Sequence, residues 1–180
     1  MANAPRDNLA HWLRDAHSME VGTLDDLRRL ASRIESYPQL KARIEQHIRE
    51  SEGQERRLKE LLESMGESTS ALKETVTKLA GNVQALVGTF FSDEMLKNAI
   101  ATYAFEHFEI GNYRALITTA EQAGETRAVS VLQQNLREEE EMARWLESHL
   151  PMTVQEYLGT EVTAGSVVGG TPAPGGTTRF

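Results

Sequence analysis

The chain has no cysteine. That excludes disulfides, thiolate metal sites, iron–sulfur clusters and thiol nucleophiles together, and it fits a reducing, cytoplasmic setting. Basic residues are the minority, 19 Lys and Arg against 27 Asp and Glu, for a net charge of -8. A phosphate backbone needs a basic face, so no nucleic-acid partner is expected. The Arg28-Arg29 and Arg56-Arg57 doublets are too short to make one. No apolar run approaches the ~20 residues of a membrane span, and no basic-then-apolar leader opens the chain. Neither a membrane partner nor a signal peptide is expected. Gly-x-Ser-x-Gly, a Gly-rich phosphate loop and His-Glu-x-x-His are all missing. Proline is scarce as well: of the five, only Pro38 interrupts the middle of the chain.

What remains is helical periodicity. The 180 residues suffice for one domain with a real core. The first pattern runs from about Asp7 to Ile34 through Leu9, Leu13, Ala16, Glu20, Thr23, Leu27 and Leu30. Pro38 opens the second, whose stripe is Leu40, Ile44, His47, Ser51, Gln54, Leu58 and Leu61, and Gly66 stops it. The third follows Ser92, a plausible N-cap, through Leu96, Ala99, Tyr103, Glu106, Ile110, Tyr113 and Ile117 to Gly124. The fourth runs from Thr126 to His149, before Pro151 and a short Thr153-x-x-Glu156 capping-box turn. Short links make two antiparallel hairpins, and the long segment between them carries a weaker helix near Ala71–Leu86. Two hairpins and one crossover give an all-α four-helix bundle of ferritin-like connectivity. Its domain is expected over residues 1–158, with 159–180 a flexible tail rich in Gly, Pro and Thr.

Each apolar stripe carries an ionisable residue near its middle: Glu20, His47, Glu106 and Glu139. A buried carboxylate costs several kcal/mol unless it is paired, protonated or metal-bound. Di-metal bundles use one Glu from each of two helices and Glu-x-x-His from each of the other two. Here the second helix offers His47-x-x-Glu50 in reverse order and the third offers Glu106-x-x-Glu109. In the fourth, Met142 stands where a second His would follow Glu139. Five carboxylates with one imidazole suit iron or manganese better than copper or structural zinc. Bland readings stay open beside this one. His47 alone is more often a hydrogen-bonded core histidine, and Glu20, Glu50 and Glu109 could be solvated at a stripe edge. Residues 138–141 are four Glu in a row, of which one or two at most can face inward. His17 reads as surface, Tyr103 and Tyr113 as packing, and Trp12 and Trp145 as neighbours at one end.

The segments SRIESYPQLKARIEQHIRESEGQ, SALKETVTKLAGN, SDEMLKNAIATYAFEHFEIGNYRALITTAEQAGET and LREEEEMARWLESHLP resemble the YciE/YciF-type bacterial ferritin-like proteins. The resemblance covers most of residues 8–158, and FEHFEIGNYRALI is its most specific phrase. It implies a ferritin-like bundle, commonly a homodimer, with a di-metal centre and a link to bacterial stress responses. The family's acidic positions map onto Glu20, Glu50, Glu106, Glu109 and Glu139, with His47 in the matching phrase of the second helix. Val21-Gly22-Thr23 departs from the family pattern, and Gly22 is expected to loosen the first helix beside Glu20. The leading expectation is two divalent ions, iron before manganese, serving ferrous oxidation or peroxide consumption. The alternative is a non-enzymatic bundle whose metal site has decayed.

Overall fold

The computed structural model describes residues 4–67 and 94–168. They form four helices: α1 over Ala4–Arg33, α2 over Pro38–Ser64, α3 over Glu94–Gln122 and α4 over Thr126–Val168. There is no strand among the described residues. Pro38 sits in the first turn of α2, where its missing N–H would have had no helical partner. Gly66 ends that helix in the left-handed region at φ +92, and Glu67 N–H returns to the Leu62 carbonyl at 3.0 Å. Gly124 does the same for α3 at φ +72, with Glu125 N–H bonded to the Ala120 carbonyl at 2.9 Å. The first helix runs unbroken through Gly22.

Side-chain pairs across the bundle fix the directions. Arg28–Glu52 and His17–Glu55 set α1 antiparallel to α2, while Glu20–Tyr113 and Thr23–Glu109 set it antiparallel to α3. His47–Glu139 and Arg57–Asn135 set α2 antiparallel to α4. The helices therefore occupy the corners of a square, with α1 and α4 parallel on one diagonal and α2 and α3 parallel on the other. Parallel α2 and α3 need a crossover rather than a hairpin, which is the ferritin-like arrangement. The helix expected near residues 71–86 and the Ser92 cap lie outside the described residues.

The interior is layered. At one end Leu9, Leu13, Leu58, Leu62, Leu116 and Leu132 close an apolar core, and at the other Leu27, Ile34, Ile44, Met142 and Leu146 close a second. Between them lies a buried polar layer: Glu20, Thr23, His47, Ser51, Gln54, Glu106, Glu109, Asn135 and Glu139.

Three expectations change. Pro151 does not end α4, which carries on through it to Val168. Proline removes one backbone hydrogen bond without forbidding the next turn. Pro151 lies on the exposed side, while Thr153 is buried and bonds its hydroxyl to the His149 carbonyl at 3.2 Å. Residues 159–168, assigned to the tail from composition, thus have helical backbone, and residues 169–180 lie outside the described residues. Trp12 and Trp145 sit at opposite ends, because α1 and α4 run parallel. Trp145 stacks on His149 with ring centroids 3.9 Å apart, while Trp12 is exposed near the start of α1. No described helix is long and apolar enough to cross a membrane.

Candidate metal centre

Helical spacing delivers the polar layer. On α3, Glu106, Glu109 and Tyr113 lie three and four apart and turn to one side, all buried. On α2, His47, Ser51 and Gln54 share the inward face. Of the four glutamates at 138–141, Glu139 is the buried one. Ligand atoms of His47, Glu106, Glu109 and Glu139 all lie within 4.8 Å of one another. His47 Nε2 stands 3.3 Å from Glu106 Oε2 and 3.6 Å from Glu139 Oε2.

The surrounding groups hold these side chains by their far ends. His47 Nδ1 meets Glu50 at 3.0 Å, and Glu50 also accepts from Arg43 at 3.0 Å and Gln46 at 2.8 Å. Glu109 accepts from the Thr23 hydroxyl at 3.0 Å, and Glu139 accepts from the Gln54 amide. Glu20 Oε1 accepts from the Tyr113 hydroxyl.

Burial dominates the acid–base behaviour of the layer. It pushes the Glu20 carboxyl up to about 7 against the lowering effects of Tyr113 and His47. Burial, reinforced by neighbouring carboxylates, also pushes Glu109 and Glu139 well above the usual carboxylate range. For Glu106 burial acts upward too, but the charge of the neighbouring His47 holds it below its ordinary value. Burial alone would lower His47, yet Glu106, Glu50 and Glu139 outweigh it and keep the imidazole protonated well above its ordinary value. Glu50, partly buried, is drawn down to about 2: burial would raise it, and the hydrogen bonds of His47 and Arg43 prevail.

The donor set suits a divalent cation. Glu20 Oε2, His47 Nε2, both oxygens of Glu106 and Glu139 Oε2 are buried with no hydrogen-bond partner among the described residues. Native interiors rarely leave so many polar atoms unsatisfied together. Mixed carboxylate and imidazole donors are those of iron, manganese and related ions. The backing of His47 Nδ1 by Glu50 is how metal-ligating imidazoles are commonly oriented.

The family model for a domain of unknown function, DUF892, matches residues 4–159. This chain belongs to the DUF892 family. Protein YciF of Escherichia coli strain K12 is 30% identical over 139 residues, spanning 74% of this chain and 82% of YciF. The crystal structure of a Xanthomonas campestris pv. campestris protein superimposes with a TM-score of 0.74 at 35% identity, covering 88% of this chain and 98% of that one. The crystal structure of the E. coli stress protein YciF gives 0.67 at 26% identity, covering 84% and 97%. The chain is thus a YciE/YciF-type protein with an all-α ferritin-like bundle.

Within this DUF892 chain the six residues singled out from sequence do not form one equal set. His47, Glu106, Glu109 and Glu139 converge. Glu20 is buried in the same layer but one of its oxygens accepts from Tyr113, leaving Oε2 without a hydrogen-bond partner among the described residues. Glu50 lies behind the imidazole, at the layer's outer side. Met142, at the place of the absent second His, is buried in the adjoining apolar core. His17 is buried rather than at the surface, with Nε2 2.8 Å from Glu55. Its position three residues before Glu20, on the same helix face, was the available signal. Gln54, Asn135 and Arg57 gave no signal of their role, since their partners come from other helices.

Proposed function

We propose that this protein is a metal-binding bundle of the YciF type, holding two divalent ions, iron in preference to manganese, in its polar layer. The observation that carries this reading is the set of buried, unpartnered donor atoms on Glu20, His47, Glu106 and Glu139. His47, Glu106, Glu109 and Glu139 would hold one ion, and the free oxygen of Glu20 would serve the second beside Glu109. Glu50 would fix the imidazole. Bound iron or manganese supplies redox chemistry toward oxygen or peroxide, so ferrous oxidation or peroxide consumption is the reaction class. The chain's own contribution is to neutralise the ions with carboxylates, to orient them through Thr23, Gln54 and Tyr113, and to exclude bulk water with two apolar cores. E. coli YciF is described as a stress protein, and we assign this chain to the same stress-linked class.

The test is metal content per chain by plasma mass spectrometry, on protein grown with iron and manganese and purified without chelator. About two ions per chain are expected, with loss in Glu106→Ala and a melting temperature that rises with added Mn(II). A well-folded, metal-free protein with no melting shift would favour the second reading, a non-enzymatic scaffold. That reading draws on Met142, packed with Leu146 where a second histidine would stand.

We also propose a homodimer in the cytoplasm, with neither nucleic acid nor membrane as partner. Ile100 and Phe108, exposed on α3 at 47% and 58%, support an apolar contact.

A further inference from the structure

A chain of hydrogen bonds leads from the flank of the bundle to Glu20, and its direction is decided at one end. Arg57 carries a guanidinium, which only donates. Its Nε meets Asn135 Oδ1 at 2.7 Å, and its other arm bonds Glu138. With Oδ1 so taken, the Asn135 amide can only turn Nδ2 toward Tyr113, whose hydroxyl accepts it at 3.1 Å. A phenol has one proton. Having accepted from Asn135, Tyr113 directs that proton to Glu20 Oε1. The remaining oxygen, Glu20 Oε2, is buried and has no partner among the described residues. Tyr113 and Asn135 are fully buried, so no bulk water competes for these bonds.

We propose that Arg57, Asn135 and Tyr113 form a positioning relay whose fixed donor direction holds Glu20 through Oε1 and leaves Oε2 as its single metal-facing atom. The inference rests on the metal-binding reading above and adds to it that Glu20 is a one-oxygen ligand set from outside the cluster. Three helices, α2, α4 and α3, act in turn on a residue of the fourth. The relay touches no reacting atom and works through Glu20 alone.

The experiment uses the full chain, with Mn(II) as the calorimetric probe and Co(II) visible absorption as a readout of coordination. Tyr113→Phe removes the donor to Glu20. Asn135→Asp keeps the shape but replaces the amide donor with an acceptor, so the phenol proton is drawn away from Glu20. Each variant is expected to weaken Mn(II) binding roughly 10- to 100-fold, the usual cost of losing a group behind a ligand, and to alter the Co(II) spectrum. The Asn135→Asp loss is the sharper result, because an added negative charge by itself would strengthen cation binding. On a Glu20→Gln background, Tyr113→Phe should weaken binding no further, the mark of two residues acting as one.

Wild-type-like affinity, within about twofold, in folded Tyr113→Phe and Asn135→Asp would overturn the relay while leaving the metal site intact. So would an equal loss from Tyr113→Phe on both backgrounds, since a structural tyrosine would act without regard to Glu20. If Tyr113→Phe does not fold, Asn135→Asp decides alone. Wild-type protein that binds neither ion would remove the metal-binding reading, and the relay with it.

Discussion

Glu20 shows how strongly one buried carboxyl ties stability to pH. Burial raises it from 4.5 to about 7, so the native state binds its proton more tightly than the unfolded chain does. Stability in the metal-free protein must then fall as pH rises from 4.5 toward 7, on the order of 3 kcal/mol for this group alone. Glu109 and Glu139 act in the same direction, and His47, held protonated above its ordinary value, loses its contribution at still higher pH. Glu50 opposes them at the acid end. Its lowered value gives stability above 4.5 that is lost as pH falls toward 2. Urea unfolding of metal-free protein should accordingly show greatest stability at mildly acidic pH and a lower midpoint near pH 8. Added Mn(II) should reverse the slope, because ligands must be deprotonated to bind it. A flat profile without metal would mean that these carboxyls are not buried in solution.

These ionisable groups were legible for a plain reason. An ionisable residue on an apolar stripe contradicts the periodicity around it, and Glu20, His47, Glu106 and Glu139 each did so. Glu50 and His17 were harder. Residues three apart on a helix share a side but not a depth, so sequence could not tell a cluster member from the group behind it. The spacing of His17 to Glu20 hinted at an inward side chain, but its partner Glu55 comes from another helix, which no single-helix pattern contains.

At the scale of elements, caps were easier to read than the length of α4. Gly66 and Gly124 stop their helices because each adopts a left-handed φ that side chains resist. Gly66→Ala meets open space, with no atom within 4 Å of an added Cβ, so its cost is backbone strain alone. We expect about 1 kcal/mol of destabilisation by urea denaturation, with an unchanged m-value. No measurable loss would show that the turn readily takes another form. Pro151 misled because proline is read as a stop, whereas it removes one bond and leaves the rest of the helix free to continue. The third helix is unlike its neighbours in being apolar on both sides. Its inward face explains Ile110, Tyr113 and Leu116, but not Ile100 and Phe108 on the outside.

For the whole molecule, that outer face bears on assembly. Light scattering should give a dimer for wild type, and Phe108→Glu combined with Ile100→Lys should give a folded monomer. A monomeric wild type would dismiss the homodimer. The bundle and its crossover connectivity were legible because breaker spacing counts helices and link lengths pair them. The diagonal placement of α1 and α4 was not; the two tryptophans were expected together although the crossover already makes α1 and α4 parallel and sets them at opposite ends. Handedness and corner assignment are properties of the packed set and leave no mark on any one helix.

The layering has a mechanical meaning as well. Two oily plugs are separated by a slab of glutamates that repel one another when charged. Without an ion, and once the pH is high enough to ionise these carboxyls, the helices are clamped at both ends and pushed apart at the waist, like a barrel whose middle hoop is missing. The first service of the proposed metal would therefore be that of the hoop: it would join two half-cores into one cooperative body.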